Sequence, residues 1–208
     1  MRKRLLKLLL ANTLASFAIT CVVKSGFGYF STTAANMALS NWFGLTVGTA
    51  GMLVEIIMLS IATWKGEGIG WTSIVNATYG SLMIDVFIFL LPESPFMILG
   101  LLLLPIAWAA MGSVGLGENG GNTLMNALLK HTNLSIGVLR GIQEGILLLI
   151  GFLGARKYVT LLTVILVVGL GPLLQVFYKW LKFDPTKVQH QYLLKLDDKK
   201  NIELNKRI

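Results

Sequence analysis

Residues 26–48 read GFGYFSTTAANMALSNWFGLTVG, and residues 115–137 read GLGENGGNTLMNALLKHTNLSIG. Laid over one another without a gap, they match at Gly26 and Gly115, Gly28 and Gly117, Ala38-Leu39 and Ala127-Leu128, and Gly48 and Gly137. Leu45-Thr46-Val47 falls on Leu134-Ser135-Ile136, a matched turn with a hydroxyl at the same place. The same offset, about 89 residues, carries the match over roughly 60 positions, placing Glu55 on Glu144 and Gly80 on Gly169. Leu- and Ile-rich chains align by chance, but paired glycines, a turn and an acid do so far less readily. The chain reads as one unit copied once.

Working outward, 54% of the 208 residues are hydrophobic, only 13% are charged, and mean hydropathy is +0.70, which marks a polytopic membrane protein. Apolar stretches near the length a bilayer requires, about 20 residues, occur at 5–23, 46–64, 72–91, 95–113, 135–154 and 159–180. The predicted fold is therefore all-α, with six transmembrane helices arranged as two three-helix repeats and a short half-helix after the first and fourth spans. Residues 1–92 form the first repeat, 93–181 the second, and 182–208 a basic tail with a short amphipathic stretch at 188–196. Three crossings per copy is an odd number, so the second copy enters the membrane inverted, an arrangement that recurs among transporters.

The opening Met-Arg-Lys-Arg and the apolar run after it also fit a signal peptide. The run is long, no small-x-small cleavage site follows, and the duplication needs this helix as the mate of 95–113, so it is read as a retained span. The net charge of +8 does not indicate nucleic acid, because its distribution is terminal: Arg2, Lys3, Arg4 and Lys7 before the first span, and Lys179, Lys182, Lys187, Lys195, Lys199, Lys200, Lys206 and Arg207 around and after the last. That distribution places both termini in the cytoplasm. Arg156-Lys157 then lies on the opposite side.

The stretches 26–43 and 115–132 are too short and polar to cross a bilayer, yet too apolar for free loops. Ser31-Thr32-Thr33 and Gly120-Gly121-Asn122-Thr123 stand where a helix N-cap belongs. Two readings fit. In one, each stretch is an amphipathic helix flat on the membrane surface, anchored in the first copy by Trp42. In the other, each is a half-helix dipping into the protein, with its free N–H groups at a central site lined by Thr33, Asn36, Asn122 and Asn126.

Ionisable residues inside spans are expensive and usually face the interior. Glu55 and Glu144 are repeat mates near the middle of their helices, and Arg140 precedes Glu144 by one turn, within ion-pair reach. Asp85 is placed deep in the third span. These side chains line a solute path or, alternatively, bond helices together. Gly137, Gly141 and Gly145 have the spacing of a close helix contact. Trp64, Trp71, Tyr158 and Trp180 mark span ends, and Pro172 a bend.

No catalytic set emerges: His131 and His190 are isolated, Cys21 is the only cysteine, and the Gly-x-Gly turns lack a preceding strand. Neither an enzyme, a bound metal nor a cofactor is expected.

Lys24-Ser25-Gly26-Phe27-Gly28, Phe43-Gly44-Leu45-Thr46-Val47-Gly48-Thr49-Ala50, Gly80 and Asp85 together resemble the first half of YczE/YyaS/YitT-type bacterial membrane proteins. Leu134 to Arg140 with Glu144 is similar to their second half, and the likeness runs to about residue 181. The Gly-Pro-Trp/Arg-Asp element of that family is replaced here by Ser31-Thr32-Thr33 and Gly120-Gly121-Asn122, and its Gly-Thr element survives only as Gly70-Trp71-Thr72 and Val159-Thr160. The resemblance implies a bacterial plasma-membrane protein and no defined activity. The reading that follows is a small-solute transporter or permease-like protein with its site between the repeats. The competing class is a membrane scaffold or regulatory or binding subunit acting through other proteins. The expected partners are the lipid bilayer and an unidentified small solute, with a homo-oligomer left open and nucleic acid excluded.

Overall fold

The computed structural model describes residues 1–93, 96–184, 188 and 190–194. Nine α-helices carry the described chain: α1 (Arg2–Ser25), α2 (Ser31–Phe43), α3 (Val47–Trp64), α4 (Trp71–Val75), α5 (Ser81–Leu90), α6 (Met97–Gly112), α7 (Gly120–His131), α8 (Ile136–Gly154) and α9 (Leu161–Trp180). A π-helical turn, Asn76–Gly80, joins α4 to α5 without interrupting the rod. There is no strand among the described residues, only one isolated antiparallel bridge between Ile69 and Leu194.

Element bounds repeat with the sequence. α1, α2, α3 and the α4–α5 rod are followed in the same order by α6, α7, α8 and α9, at nearly the same lengths except that α6 has 16 residues against 24 for α1. The chain leaves α1 through Gly26 at φ 69 and leaves α6 through Gly115 at φ 66, left-handed turns for which glycine carries no Cβ penalty. Thr46 caps α3 by accepting from the Thr49 N–H, and Ser135 caps α8 by accepting from the Val138 N–H.

The two copies interlock. α1 lies along α6, burying Leu8, Ala15, Ala18 and Val22 against Leu104, Ala107 and Met111. α2 packs on α8 of the other copy, and α7 packs on α3. Close approach is set by small residues: a Cβ on Gly151 would stand 2.6 Å from the Ala34 Cβ, and one on Gly100 would stand 2.9 Å from Val22. Gly137, Gly141 and Gly145, expected to bring helices together, have no heavy atom within 4 Å of an added Cβ. They face open space because the neighbouring α9 stands away from that side of α8.

Polar contacts identify the two ends of the bundle. At one end Arg4 Nε donates to the Val114 carbonyl at 3.0 Å, Lys7 Nζ to Ser113 Oγ at 2.9 Å, and His131 Nε2 to the Lys65 carbonyl at 3.0 Å. Lys130 pairs there with Glu67 at 2.6 Å. At the other end Lys24, Tyr29, Ile88, Glu93, Lys157 and Tyr158 surround one cleft, so α1 and α5 finish where α3 and α9 begin.

Four helical segments are long and apolar enough to cross a membrane: Arg2–Ser25, Val47–Trp64, Trp71–Leu90 and Gly137–Gly154. Leu161–Gly169 and Pro172–Trp180 make a fifth when taken as one span bent by 45°, the bend expected at Pro172. Met97–Gly112 is apolar but shorter, at 16 residues. Only 17% of the Gly137–Gly154 window is buried, so most of that helix shows apolar side chains outward, among them Ile142, Ile146, Leu149 and Leu153. An aqueous surface does not tolerate such a face and hydrocarbon does.

Candidate functional site

α2 begins far inside the bundle. Its first residue, Ser31, donates from Oγ to Glu144 Oε2, and Glu144 stands about ten residues, some 15 Å, before the end of α8. α2 then runs out alongside α8, with Ala34 against Gly151, and Ala38 and Trp42 against Gly154. α7 does the same from the opposite end. Its first residue, Gly120, donates its backbone N–H to Glu55 Oε2 at 2.7 Å, and Glu55 lies about nine residues before the end of α3. Ser31 and Gly120 are repeat mates, as are Glu55 and Glu144. Each carboxylate therefore stands at the N-terminus of the half-helix belonging to the other copy, Glu55 accepting from a backbone N–H and Glu144 from a side-chain hydroxyl, where the helix dipole favours negative charge.

Around the caps the copies diverge. Arg140 Nε lies 2.9 Å from Glu144 Oε1, and its Nη1 donates to Asn122 Oδ1 at 3.1 Å. Glu55 instead accepts from Asn76 Nδ2 at 3.1 Å. Asn76 opens the π-helical turn, a distortion that often accompanies functional sites.

Two cavities meet at these groups. The inner one, about 130 Å³, is lined by Ser31, Thr33, Asn36, Glu55, Asn76 and Glu144, among others. The outer one, about 630 Å³, is lined by Trp108, Gly117–Asn119, Asn122, Gly137, Val167 and Tyr178, on the side of the bundle that carries Arg4 and Lys7. Arg140, Glu144, Asn119, Trp108 and Val167 belong to both. The ion pair thus stands at the junction between a wide, mostly apolar vestibule and a small polar chamber.

Of the eight residues singled out from the sequence, Glu55, Glu144, Arg140, Thr33 and Asn36 line the chamber and Asn122 the vestibule. Asn126 lines neither and donates to Glu118 Oε2 at 2.7 Å. Asp85 is also elsewhere: it accepts from the Gly48 N–H at 2.7 Å and from Thr46 Oγ1 at 2.6 Å, closing the N-terminus of α3. Expected deep in its span, Asp85 stands near the helix end, because α5 stops at Leu90. The expected hydroxyl caps differ as well. Phe30 is the N-cap of α2 and offers no side-chain bond, and Glu144 meets that end through the Ser31 hydroxyl; Asn119 caps α7 by accepting from the Asn122 N–H at 2.9 Å.

Asn76, Ser81, Trp108 and Gln143 were not anticipated. Trp108 carried a signal, a tryptophan inside an apolar run instead of at its end, and Asn76 another, an amide inside the third span.

The described part of the chain after α9 packs back onto the bundle. Gln191 N donates to the Gly115 carbonyl at 2.9 Å, Arg4 Nη1 donates to Gln191 Oε1 at 3.0 Å, and Leu193 N donates to the Ile69 carbonyl at 2.8 Å. His190 Nε2 lies 3.5 Å from Glu118 Oε1, and with Phe183 and Val188 it forms part of the vestibule wall. Burial, then the nearby Glu67 and Glu118 carboxylates, push the Tyr192 phenol up. Residues 195–208 lie outside the described residues.

Among the described residues no group of three or more His, Cys, Asp or Glu side chains is arranged to hold a metal ion. Residues 2–179 match the model of a family of unknown function (DUF6198). No curated protein and no solved structure matches.

Proposed function

Since the chain belongs to a family of unknown function, DUF6198, we propose its role from its geometry: it moves a small solute across a membrane through the chamber between its two copies. The observation that carries this reading is that the 630 Å³ vestibule and the 130 Å³ chamber adjoin across shared lining residues, Arg140 and Glu144 among them, at the level where both half-helices begin. Proteins of this kind place substrate sites at discontinuous helices near mid-membrane.

The same proposal includes six crossings, with α6 and the bent α9 counted as spans and the second copy inverted. It also includes kinship with YczE/YyaS/YitT-type proteins, on the motifs given above. The opposite courses of the half-helices support inversion: α2 runs out to the end of α8 at Gly154, and α7 to the other end of the bundle, where His131 meets Lys65. The end carrying Arg2, Lys3, Arg4, Lys7, Lys65 and Lys130 is the cytoplasmic one by the distribution of basic residues, and the vestibule opens there. Cys21, the only cysteine, is buried, so engineered cysteines can be labelled against a quiet background. A cysteine at Lys157 should react with an impermeant reagent in intact cells, and one at Lys130 only after permeabilisation. The reverse pattern would refute the orientation.

The transport test is the double variant Glu55→Gln with Glu144→Gln. Expected is loss of the metabolite differences that separate cells with the protein from cells without it, at unchanged membrane abundance. A double variant that keeps those differences excludes the chamber as the path. The scaffold reading has one observation in its favour: both carboxylates are hydrogen-bonded to the other copy's half-helix and so also hold the copies together. It requires the differences to be lost only together with abundance.

A further inference from the structure

After α9 the chain returns to the end of the bundle that carries Arg4, and residues 190–194 lie there as a strap. Gln191 N donates to the Gly115 carbonyl at 2.9 Å, while Leu193 N and Leu194 N share the Ile69 carbonyl at 2.8 and 3.2 Å. Ile69 N donates back to the Leu194 carbonyl at 2.9 Å. The strap thereby joins a turn of the first copy to a turn of the second. Its apolar side chains take little part, since Leu193 and Leu194 stay 44% and 64% exposed. Hydrogen bonds that replace water each contribute little net stability, so a strap held this way is easily released.

The bundle nevertheless has a seat shaped for it. A Cβ on Gly68 would lie 2.8 Å from Tyr192 Cγ, 2.9 Å from Tyr192 Cδ1 and 3.0 Å from the Leu194 carbonyl oxygen, all of them strap atoms. Gly68 is not one of the left-handed glycines, so space for the strap, not backbone conformation, is what a side chain would take away. The position matched to Gly68 in the second copy is Lys157, which lines the cleft at the other end of the bundle. This glycine therefore belongs to the seat and not to the repeated pattern. From the seat the strap reaches the vestibule: His190, 3.5 Å from Glu118 through Nε2, stands in the wall that also contains Arg140 and Val167.

We propose that residues 190–194 are a releasable latch on the vestibule: docked on Gly68, Ile69 and Gly115 they restrict the way in, and undocked they open it. The seat is an interaction surface for a short peptide segment, and its occupant is the chain's own tail. Undocking removes His190 from the vestibule wall and frees two turns, one from each copy, that the strap ties together. The latch rests on the transport reading for its purpose, as the control of access to the same site. Its test reads access alone and needs no solute.

The reporter is Val167→Cys, a substitution of similar size at a position that lines both cavities. The measurement is the rate at which a soluble maleimide dye labels it in the purified full-length protein in detergent. Gly68→Val pushes Tyr192 off the seat, and Gln191→Pro with Leu193→Pro removes two of the strap's donors. Each should speed labelling about five- to thirtyfold, the effect of deleting a weak local closure. Cys21 is buried, and it should stay unlabelled when the same variants lack the reporter. Unchanged rates in both variants overturn the latch. So does acceleration in only one, because the two break the same contact from opposite sides, and so does acceleration matched by labelling of Cys21, which is loss of the fold. A latch that passes in a protein that moves no solute stands without the transport reading. Solute movement in a protein whose labelling ignores both variants does the reverse.

Discussion

Glu55 and Glu144 hold matched positions on matched helices, and each accepts a hydrogen bond from the first residue of the other copy's half-helix. Their surroundings have nevertheless separated. Glu144 is tied to Arg140 at 2.9 Å, while Glu55 faces the Asn76 amide across from Gly51. The course of the backbone and an acid at the half-helix start are what the two halves share, because a half-helix beginning inside the bundle presents the positive end of its dipole in either half. The charge beside the cap is free to diverge, since one internal cation satisfies one carboxylate only. A symmetric frame thus carries an asymmetric site.

That asymmetry can be broken most strongly from the second copy. Arg140→Met leaves Glu144 partly buried without its cation; its side chain is 13% exposed, against 36% for the arginine. Removing one partner of a buried pair costs about 3–5 kcal/mol, and the partial exposure of Arg140 brings the expectation down to about 2–3 kcal/mol. That corresponds to a fall in Tm of roughly 4–12 °C for a chain of this size. Adding Glu144→Gln should recover most of the loss, because the remaining amide still accepts from Ser31. Additive losses in the double-mutant cycle would show that the two residues do not act as a pair.

The matching order of helices was legible because it rests on glycine, turn and acid positions that the backbone constrains. Glu55, Glu144 and Arg140 were legible because charge inside an apolar run is conspicuous. The crossed contact of each acid with the other half-helix was not, since it depends on which copy α2 leans against, and nothing local to Ser31 or Gly120 records that. Asp85 was misplaced for a related reason: hydropathy locates a span but not how far along it a helix stops. Asn76 escaped because a π-helical turn is a strain shared with neighbours, here with Ser16 donating to the Gly80 carbonyl at 2.8 Å. The glycine spacing of α8 misled, because the same pattern serves contact and cavity wall alike.

Two glycine substitutions on α8 refine the comparison at smaller cost. Gly151→Ala places a methyl 2.6 Å from the Ala34 Cβ and 3.0 Å from the Ala34 backbone carbon, so α2 must shift. The first copy already carries Ala62 at the matched place, fully buried, so its α3–α7 contact is built for that methyl and the α2–α8 contact is not. Overpacking of this degree should cost about 1–2 kcal/mol. A neutral result in a denaturation series would mean that the two half-helices are held alike. Gly145→Ala, six residues earlier on the same helix, is the smallest effect and has the opposite sign. Its Cβ meets nothing within 4 Å, and alanine gains up to about 1 kcal/mol over glycine in a helix interior. Tm should therefore hold or rise by a few degrees at most. A loss of stability there would reveal a partner pressed against this face of α8, a second copy of the chain included, and the side taken here for lipid would have to be assigned to protein.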